Sequence, residues 1–188
     1  MIPIRLGLIG AHRCGKTTLA EALALRMHWP LIKTQVSQVF KQAQLQPHQP
    51  LDFATRLRIQ TQILHTAREN WQAEHFVTDR TPIDFMAYTL ADIHGKTVVD
   101  MHALEEYLVD CFETINQIFT HLILLQPGIP LVYAPGKAAL NKAYIEHLNT
   151  LMLGLCHDQR LHCPSRIIKR QILSLEERVQ MALRIIDG

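Results

Sequence analysis

Short apolar runs alternate with longer amphipathic segments along the whole chain. Apolar runs of about four to eight residues are typical of buried strands, whereas apolar positions spaced about three and four residues apart are typical of helices. This pattern predicts strands at 2–9, 30–34, 76–78, 121–125 and 166–169. It predicts helices at 16–28, 37–44, 51–71, 82–93, 100–119, 137–156 and 175–186.

Several of the predicted helix and loop boundaries also contain residues that are typical of such positions. Pro82 falls in the first turn of its helix, where the missing N–H does no harm, and Gly95 is expected to stop that helix. Ser174 and Glu177 have the spacing of a capping box at the start of the last helix. Two prolines indicate that 45–50 is a loop.

Strands that alternate with helices predict an α/β fold, a three-layer sandwich in which helices cover both faces of a five-stranded parallel sheet. The chain has 188 residues, of which 48% are hydrophobic. This is enough for one core and short for two, so 1–188 is interpreted as one domain. Ligands in such folds bind at the carboxyl ends of the strands.

The composition of the chain disfavours several classes of protein. The net charge is only +2, which does not favour a protein that coats nucleic acid or a membrane surface. No apolar run approaches the roughly 18 residues of a membrane span. The four cysteines form no C-x-x-C pair, so a disulfide framework is not expected and a reducing cytoplasm is predicted.

The segment GAHRCGKTT, residues 10–18, has the spacing of a phosphate-binding loop between a strand and a helix. Its glycines let backbone N–H groups turn towards phosphates, and the following helix presents its N-terminus to the anion. Lys16 is expected to reach the β- and γ-phosphates, and Thr17 to ligate Mg²⁺. ATP and Mg²⁺ are therefore the predicted cofactors. The predicted ATP-binding residues are Gly10, Ala11, His12, Arg13, Cys14, Gly15, Lys16, Thr17 and Thr18.

Two other classes that use this loop lack their further motifs. A switch GTPase needs D-x-x-G and N-K-x-D, but the D-x-x-G at 92–95 closes a predicted helix, and Tyr144 replaces the aspartate of the second motif. An AAA-type or helicase motor needs a strand that ends in paired acids, whereas the strand HLILLQP ends in Gln126. An ATP-binding regulator without a transfer substrate remains as the alternative from another class.

The segment FVTDRTPIDFMAY, residues 76–88, supplies the second half of the predicted site. Asp79 and Arg80 follow a strand directly, so they are expected to face the phosphate loop. Asp79 can hold a Mg²⁺-bound water or accept the proton of an attacking hydroxyl. Arg80 offers a planar fork for a phosphate or another anionic group.

With both motifs in place, the chain resembles the P-loop nucleotide kinases, and most nearly the thymidylate-kinase-like group. It is also similar to small phage-borne proteins described as kinase-like ATPases. Thymidylate kinases carry Asp-Arg-aromatic, then a serine, then Ala-Tyr. The matching residues here are Asp79, Arg80, Thr81, Asp84, Ala87 and Tyr88. The resemblance covers nearly the whole chain and implies transfer of the γ-phosphate of ATP to a nucleotide-class acceptor.

The resemblance also implies roles for particular residues. Arg13 stands where one type of thymidylate kinase places an arginine that neutralises the moving phosphoryl group. The lid candidate, 127–142, contains Lys137 and Lys142 but no arginine, which agrees with that role. Lys16, Asp79, Arg13 and Arg80 are therefore the predicted catalytic residues, and Thr17 and Asp79 the predicted metal ligands.

The acceptor is expected to bind in the region 33–71. Thymidylate kinases read the base with an arginine about 21 residues before the Asp-Arg pair, which implies Arg58, with Arg56 close by. Arg80 and Asp84 complete the predicted substrate-binding set. His12 replaces an acid that contacts the acceptor sugar in the family. This departure suggests an alternative acceptor, 5-hydroxymethyluracil within phage DNA, in the host cytoplasm. The resemblance also allows a homodimer.

One further cluster invites two interpretations. Cys156, His157, His162 and Cys163 lie within eight residues. Such side chains ligate metals, but rarely at this spacing. The commoner outcome is that the two cysteines pack as small apolar groups.

Overall fold

A computed structural model describes residues 3–46, 49–132 and 140–188. Five strands form one parallel sheet in the order β2–β3–β1–β4–β5. The strands are β1 (Arg5–Ile9), β2 (Leu31–Ile32), β3 (Phe76–Thr78), β4 (His121–Leu125) and β5 (Ser165–Ile168). The predicted α/β architecture with a five-stranded parallel sheet is confirmed.

Seven helices connect and follow the strands in the described part of the chain. They are α1 (Lys16–Met27), α2 (Val36–Gln42), α3 (Phe53–Asn70), α4 (Pro82–Ala91), α5 (Met101–Ile118), α6 (Lys142–Cys156) and α7 (Leu175–Asp187). Helix α6 begins at Lys142 because the Asn141 side chain caps it, accepting a hydrogen bond from the Tyr144 N–H. The start predicted at 137 lies outside the described residues.

Strand β1 shows how the sheet is covered on both faces. Leu6 and Leu8 are fully buried and face the core formed with α1 and α7. Ile9 points to the opposite face and joins the larger core formed with α2 to α6. Alternate residues of a strand face opposite sides, so the central strand contributes side chains to both cores. The prediction of helices on both faces is confirmed.

The sheet order brings two connecting loops together. Gly7 of β1 pairs with Thr78 of β3, so the loop that follows each strand leaves the same edge of the sheet. One loop leads into α1 and contains 10–15, and the other contains Asp79 and Arg80. None of the helices in 3–46, 49–132 or 140–188 is long and apolar enough to cross a membrane.

Candidate active site

The loop between β1 and α1 has backbone geometry that depends on its glycines. Gly15 has φ of +86°, in the left-handed region that side chains disfavour. A Cβ on Gly10 would lie 2.8 Å from the Leu125 carbonyl oxygen, which is too close for a side chain. Arg13 also has a positive φ, +66°, and strained backbone of this kind is concentrated at ligand-binding sites.

Lys16 lies inside this loop. Its side chain is only 7% exposed, although it begins α1. The Nζ donates hydrogen bonds to the carbonyls of Gly10 and Ala11, the latter at 3.0 Å, and lies 3.6 Å from an oxygen of Asp84. The ammonium is thus held among the loop's own carbonyls and one buried carboxylate.

The two predicted metal ligands meet at the mouth of the loop. The Thr17 hydroxyl donates a 2.7 Å hydrogen bond to Oδ2 of Asp79. Thr17 begins the exposed side of α1, and Asp79 follows β3, so the sheet order places them together. Hydroxyl and carboxylate oxygens are the ligands that Mg²⁺ prefers, so these residues fit the ion.

Asp84 lies below the loop and is completely buried. Its carboxylate accepts hydrogen bonds from the Gly10 N–H at 3.3 Å, the Thr81 N–H at 3.0 Å and the Thr81 hydroxyl at 3.1 Å. Burial raises the pKa of Asp84, and the charges of Lys16 and Arg80 oppose that shift. This carboxylate is enclosed beneath the loop, and the contact predicted between Asp84 and the substrate stays a prediction.

Arg80 and His12 are arranged around Tyr88 of α4. The Arg80 guanidinium carbon lies 5.8 Å from the centroid of the Tyr88 ring. The Tyr88 hydroxyl accepts a hydrogen bond from the His12 N–H at 3.2 Å and lies 3.2 Å from Nδ1 of the same histidine. The His12 ring is also 5.9 Å from the ring of Tyr144 in α6. We call His12, Tyr88 and Tyr144 the aromatic wall.

Arg56 lies on the same side of the molecule as this wall. Its Nε is 2.8 Å from Oδ2 of Asp92, and its guanidinium carbon lies 6.0 Å from the centroid of the Phe40 ring. Burial raises the pKa of Tyr144, the charge of Asp92 raises it further and the charge of Arg56 lowers it, so Tyr144 lies within electrostatic range of the ion pair. A cavity of about 490 Å³ opens at the ion pair. Its lining includes Leu51, Phe53, Arg56, Asp92, Thr97 and Val98.

Arg58 lies elsewhere. It is exposed and lines a different cavity, of about 630 Å³, between α3 and α5. Residues two apart on an α-helix point about 200° apart around its axis, so Arg56 and Arg58 face different sides. Of the two arginines predicted from the spacing, the structure brings only Arg56 to the aromatic wall.

Arg13 points towards the lid candidate. Its Nη1 donates a 3.2 Å hydrogen bond to the Val132 carbonyl. Arg13 and Lys142 line one cavity of about 230 Å³, together with Glu146 and residues 127–131. The other lysine predicted to assist, Lys137, lies outside the described residues. Arg13 and Lys142 are thus placed on one side of the phosphate loop.

Arg178 of α7 supports the phosphate loop, and no motif in the sequence predicts this contact. It is 2% exposed and donates hydrogen bonds of 2.7 Å to the carbonyls of Cys14 and Ile172. It therefore joins the phosphate loop to the loop that follows β5. The one available signal is its spacing: Arg178 lies four residues before Ala182, on the apolar face of α7.

In the cysteine and histidine cluster, the two cysteines pack as small apolar side chains in the larger core. Cys156 and Cys163 are buried and unpaired, and burial raises the pKa of each thiol to about 12. Among the described residues, no group of three or more histidine, cysteine or acidic side chains could hold a metal ion.

A family model described as an AAA domain matches residues 5–119 of the chain. That description states no reaction, so the prediction against a motor remains a prediction. No curated protein is significantly similar to the chain.

Two solved kinases and one further nucleotide-bound protein share the fold. Deoxyadenosine kinase from M. mycoides with bound dCTP superposes with a TM-score of 0.68 at 15% identity, covering 98% of this chain and 99% of that chain. Thymidylate kinase from Candida albicans gives a TM-score of 0.63 at 16% identity, with coverage of 98% and 91%. The YorR protein from Bacillus subtilis, in complex with phosphorylated GDP, gives 0.58 at 13% identity, with coverage of 97% and 95%. The fold of the P-loop nucleotide kinases is therefore confirmed.

Proposed function

We propose a phosphotransferase function for this chain, which belongs to the AAA domain family. The reaction is transfer of the γ-phosphate of ATP to a nucleotide-class acceptor. One observation carries the proposal: the pair of Thr17 and Asp79, with a 2.7 Å hydrogen bond, lies at the mouth of a loop that encloses Lys16. This combination supplies a cation for phosphates, ligands for a metal ion and a candidate base within one site.

The phosphate loop binds and orients the donor. Backbone N–H groups around Gly15 and the N-terminus of α1 attract the phosphates. Lys16 would bind the β- and γ-phosphates, and Thr17 and Asp79 would hold Mg²⁺. When bound, the ion neutralises charge on the phosphate oxygens. In this proposal Asp79 also accepts the proton of the attacking hydroxyl.

The proposed acceptor cleft extends from Arg80 to the cavity at the ion pair of Arg56 with Asp92. Arg80 supplies a planar cation near the phosphate loop, which suits the phosphate of a nucleoside monophosphate. Arg56 and Asp92 present donors and acceptors side by side at the cavity of about 490 Å³. Nucleobase edges carry the same mixture of donors and acceptors, so this pair supports a base-reading role. A nucleoside monophosphate or deoxynucleotide is thus the first candidate acceptor.

A modified base in DNA is the second candidate acceptor. His12 stands in place of an acid at the aromatic wall, and its position is fixed by the Tyr88 hydroxyl. Val98, on the rim of the Arg56 cavity, is 88% exposed. A cavity whose rim is exposed at Val98 would admit a nucleotide that remains attached to a polymer.

A panel of acceptors tests the proposal. Purified protein is incubated with Mg·ATP and, separately, with nucleosides, nucleoside monophosphates and DNA that contains 5-hydroxymethyluracil, and ADP formation is followed. We expect one class to raise ATP turnover sharply. Tight ATP binding without stimulation by any class would instead support the ATP-binding regulator.

Replacing Arg56 is expected to weaken acceptor binding selectively. Arg56→Gln removes a charged donor at the cleft, so the KM for the acceptor should rise about tenfold or more while the KM for ATP stays within about twofold. Arg58→Gln, the same change on the other side of α3, serves as the matched control and should alter neither value. A larger effect on the KM for the acceptor in the Arg58 variant would show that the base binds in the cavity between α3 and α5.

Replacing Arg13 is expected to slow the chemical step. An arginine that faces the transferring group acts chiefly in the transition state, where charge spreads over the phosphoryl oxygens. Arg13→Ala should lower kcat by about 10²-fold, much more than it raises the KM for ATP. Arg13→Lys should recover only part of the loss, because an ammonium lacks the planar fork. A change confined to the KM for ATP, or full recovery of kcat in Arg13→Lys, would show that Arg13 only binds ATP and does not act in the transition state.

A further inference from the structure

Asp84 contacts both ends of the phosphate loop from below. Its Oδ1 accepts a hydrogen bond from the N–H of Gly10, the first residue of the loop, and lies 3.6 Å from the ammonium of Lys16, which follows the loop's last glycine. Both side chains of the pair are withdrawn from solvent, with exposures of 0% and 7%. One carboxylate therefore bridges the beginning and the end of the segment that binds the phosphates.

The complete burial of this carboxylate requires a physical explanation. Burying a charge without a partner is costly, so fully buried acids are normally paired and hydrogen-bonded. Capping the start of α4 requires only the contacts of Asp84 with Thr81, and exposed side chains can provide such a cap. The cap does not explain the contacts with Gly10 and Lys16.

We propose that Asp84 is a positioning residue, a buried counter-ion that fixes the Lys16 ammonium within the phosphate loop. The lysine is held from three sides, by the carbonyls of Gly10 and Ala11 and by this carboxylate. Asp84 does not touch the transferred phosphate in this role; it acts through Lys16. The effect on reaction rate rests on the proposed phosphotransferase function, whereas the effect on the lysine itself does not.

Two opposing effects of the carboxylate predict a particular kinetic pattern. Its negative charge lies near bound phosphates and repels them in the ground state, while its contact with Lys16 holds the cation where charge develops. Removing the carboxylate should therefore change ATP binding little, because the two effects offset each other. Catalysis depends on interactions that strengthen in the transition state, and a displacement of about 1 Å can cost about 10²-fold in rate. The loss should appear in kcat.

The kinetic test compares two variants of nearly unchanged shape. Asp84→Asn removes the charge, and Thr81→Val removes a capping hydroxyl that contacts Asp84 but does not contact Lys16 in the structure. We expect Asp84→Asn to lower kcat for ATP turnover by about 10- to 100-fold with the KM for ATP within about threefold, and Thr81→Val to lower only the melting temperature. If Asp84→Asn does not fold, Asp84→Ser retains a hydroxyl for the cap and should show the same loss of kcat. Unchanged kcat in a folded Asp84 variant, or an equal loss in Thr81→Val, would overturn the proposal.

A measurement on the lysine separates this inference from the kinase proposal. Ammonium protons that are buried and hydrogen-bonded exchange slowly with water, so Lys16 should give an observable Nζ–H resonance in ¹⁵N-lysine-labelled protein. Lys16→Met identifies the resonance by its loss. We expect it to disappear or broaden in Asp84→Asn and to persist in Thr81→Val. Persistence in Asp84→Asn would show that the lysine does not depend on Asp84, whatever reaction the protein performs.

Discussion

Lys16→Ala is expected to abolish phosphoryl transfer, with a loss of roughly 10³-fold or more, because the variant lacks the cation that neutralises the β- and γ-phosphates. The structure adds a complication, since Lys16 is buried and pairs with a buried carboxylate. Alanine would leave both a small void and an unpaired acid, and breaking a buried pair is strongly destabilising. Lys16→Met fills the space without the charge, and it is therefore the better variant.

The measurement is the steady-state rate of ADP formation in both variants at saturating acceptor, with circular dichroism and thermal unfolding as the control for folding. Burial raises the pKa of Asp84, so that carboxyl can take up a proton when its lysine is removed, which limits the loss of stability in Lys16→Met. A folded Lys16→Met protein that retains wild-type activity would contradict the phosphotransferase proposal.

Asp79→Asn is expected to lower the rate by about 10²–10⁴-fold, the range for lost acid–base work. Asparagine keeps the shape of the side chain and can still accept the 2.7 Å hydrogen bond from Thr17, but it supplies no negative charge to a metal ion and cannot act as a base. Initial rates at several Mg²⁺ concentrations should also show a higher metal requirement in the variant.

Asp158→Asn provides the matched control for that substitution. Asp158 pairs with Arg160 at 2.7 Å on the surface, beyond the end of α6. Exposed pairs contribute about 0–1 kcal/mol, so the control should keep full activity with a small change in stability. If Asp79→Asn also keeps full activity, then the contact between Asp79 and Thr17 is only a surface hydrogen bond and the metal site must lie elsewhere.

The fold and the centre of the site could be predicted because both depend on local patterns and one topological rule. The predicted β3 and β4 end where the structure ends them, at Thr78 and Leu125. Neighbouring parallel strands deliver their following loops to the same edge of a sheet, so Asp79 had to approach the phosphate loop. The hydrogen bond between Thr17 and Asp79 follows from that rule.

The direction of individual side chains could not be predicted in the same way. The spacing from Asp79 favoured Arg58 over Arg56, but spacing along the chain does not reveal which side of α3 faces the site. The match to a serine of the thymidylate kinases suggested that Asp84 contacts substrate. The position of this side chain beneath the loop, where Gly10 and Lys16 enclose it, could not be read from that match.

Arg178 could not be predicted because its role depends on a contact between distant parts of the chain. The hydrogen bond from its Nη1 to the Cys14 carbonyl joins residues 164 positions apart. No short motif encodes such a contact, and an arginine in a terminal helix ordinarily suggests a solvated side chain. Only the assembled sheet places α7 beside the phosphate loop.

The fate of the γ-phosphate distinguishes phosphoryl transfer from hydrolysis and from ATP binding alone. ATP labelled at the γ-position is incubated with the wild-type protein and the acceptor class that stimulates ADP formation, and the labelled products are separated and counted. We expect the label to leave ATP mainly on the nucleotide or the DNA base, in an amount equal to the ADP formed, and Lys16→Met to give neither product. Recovery of the label only as inorganic phosphate, or retention of all label in bound ATP, would contradict it.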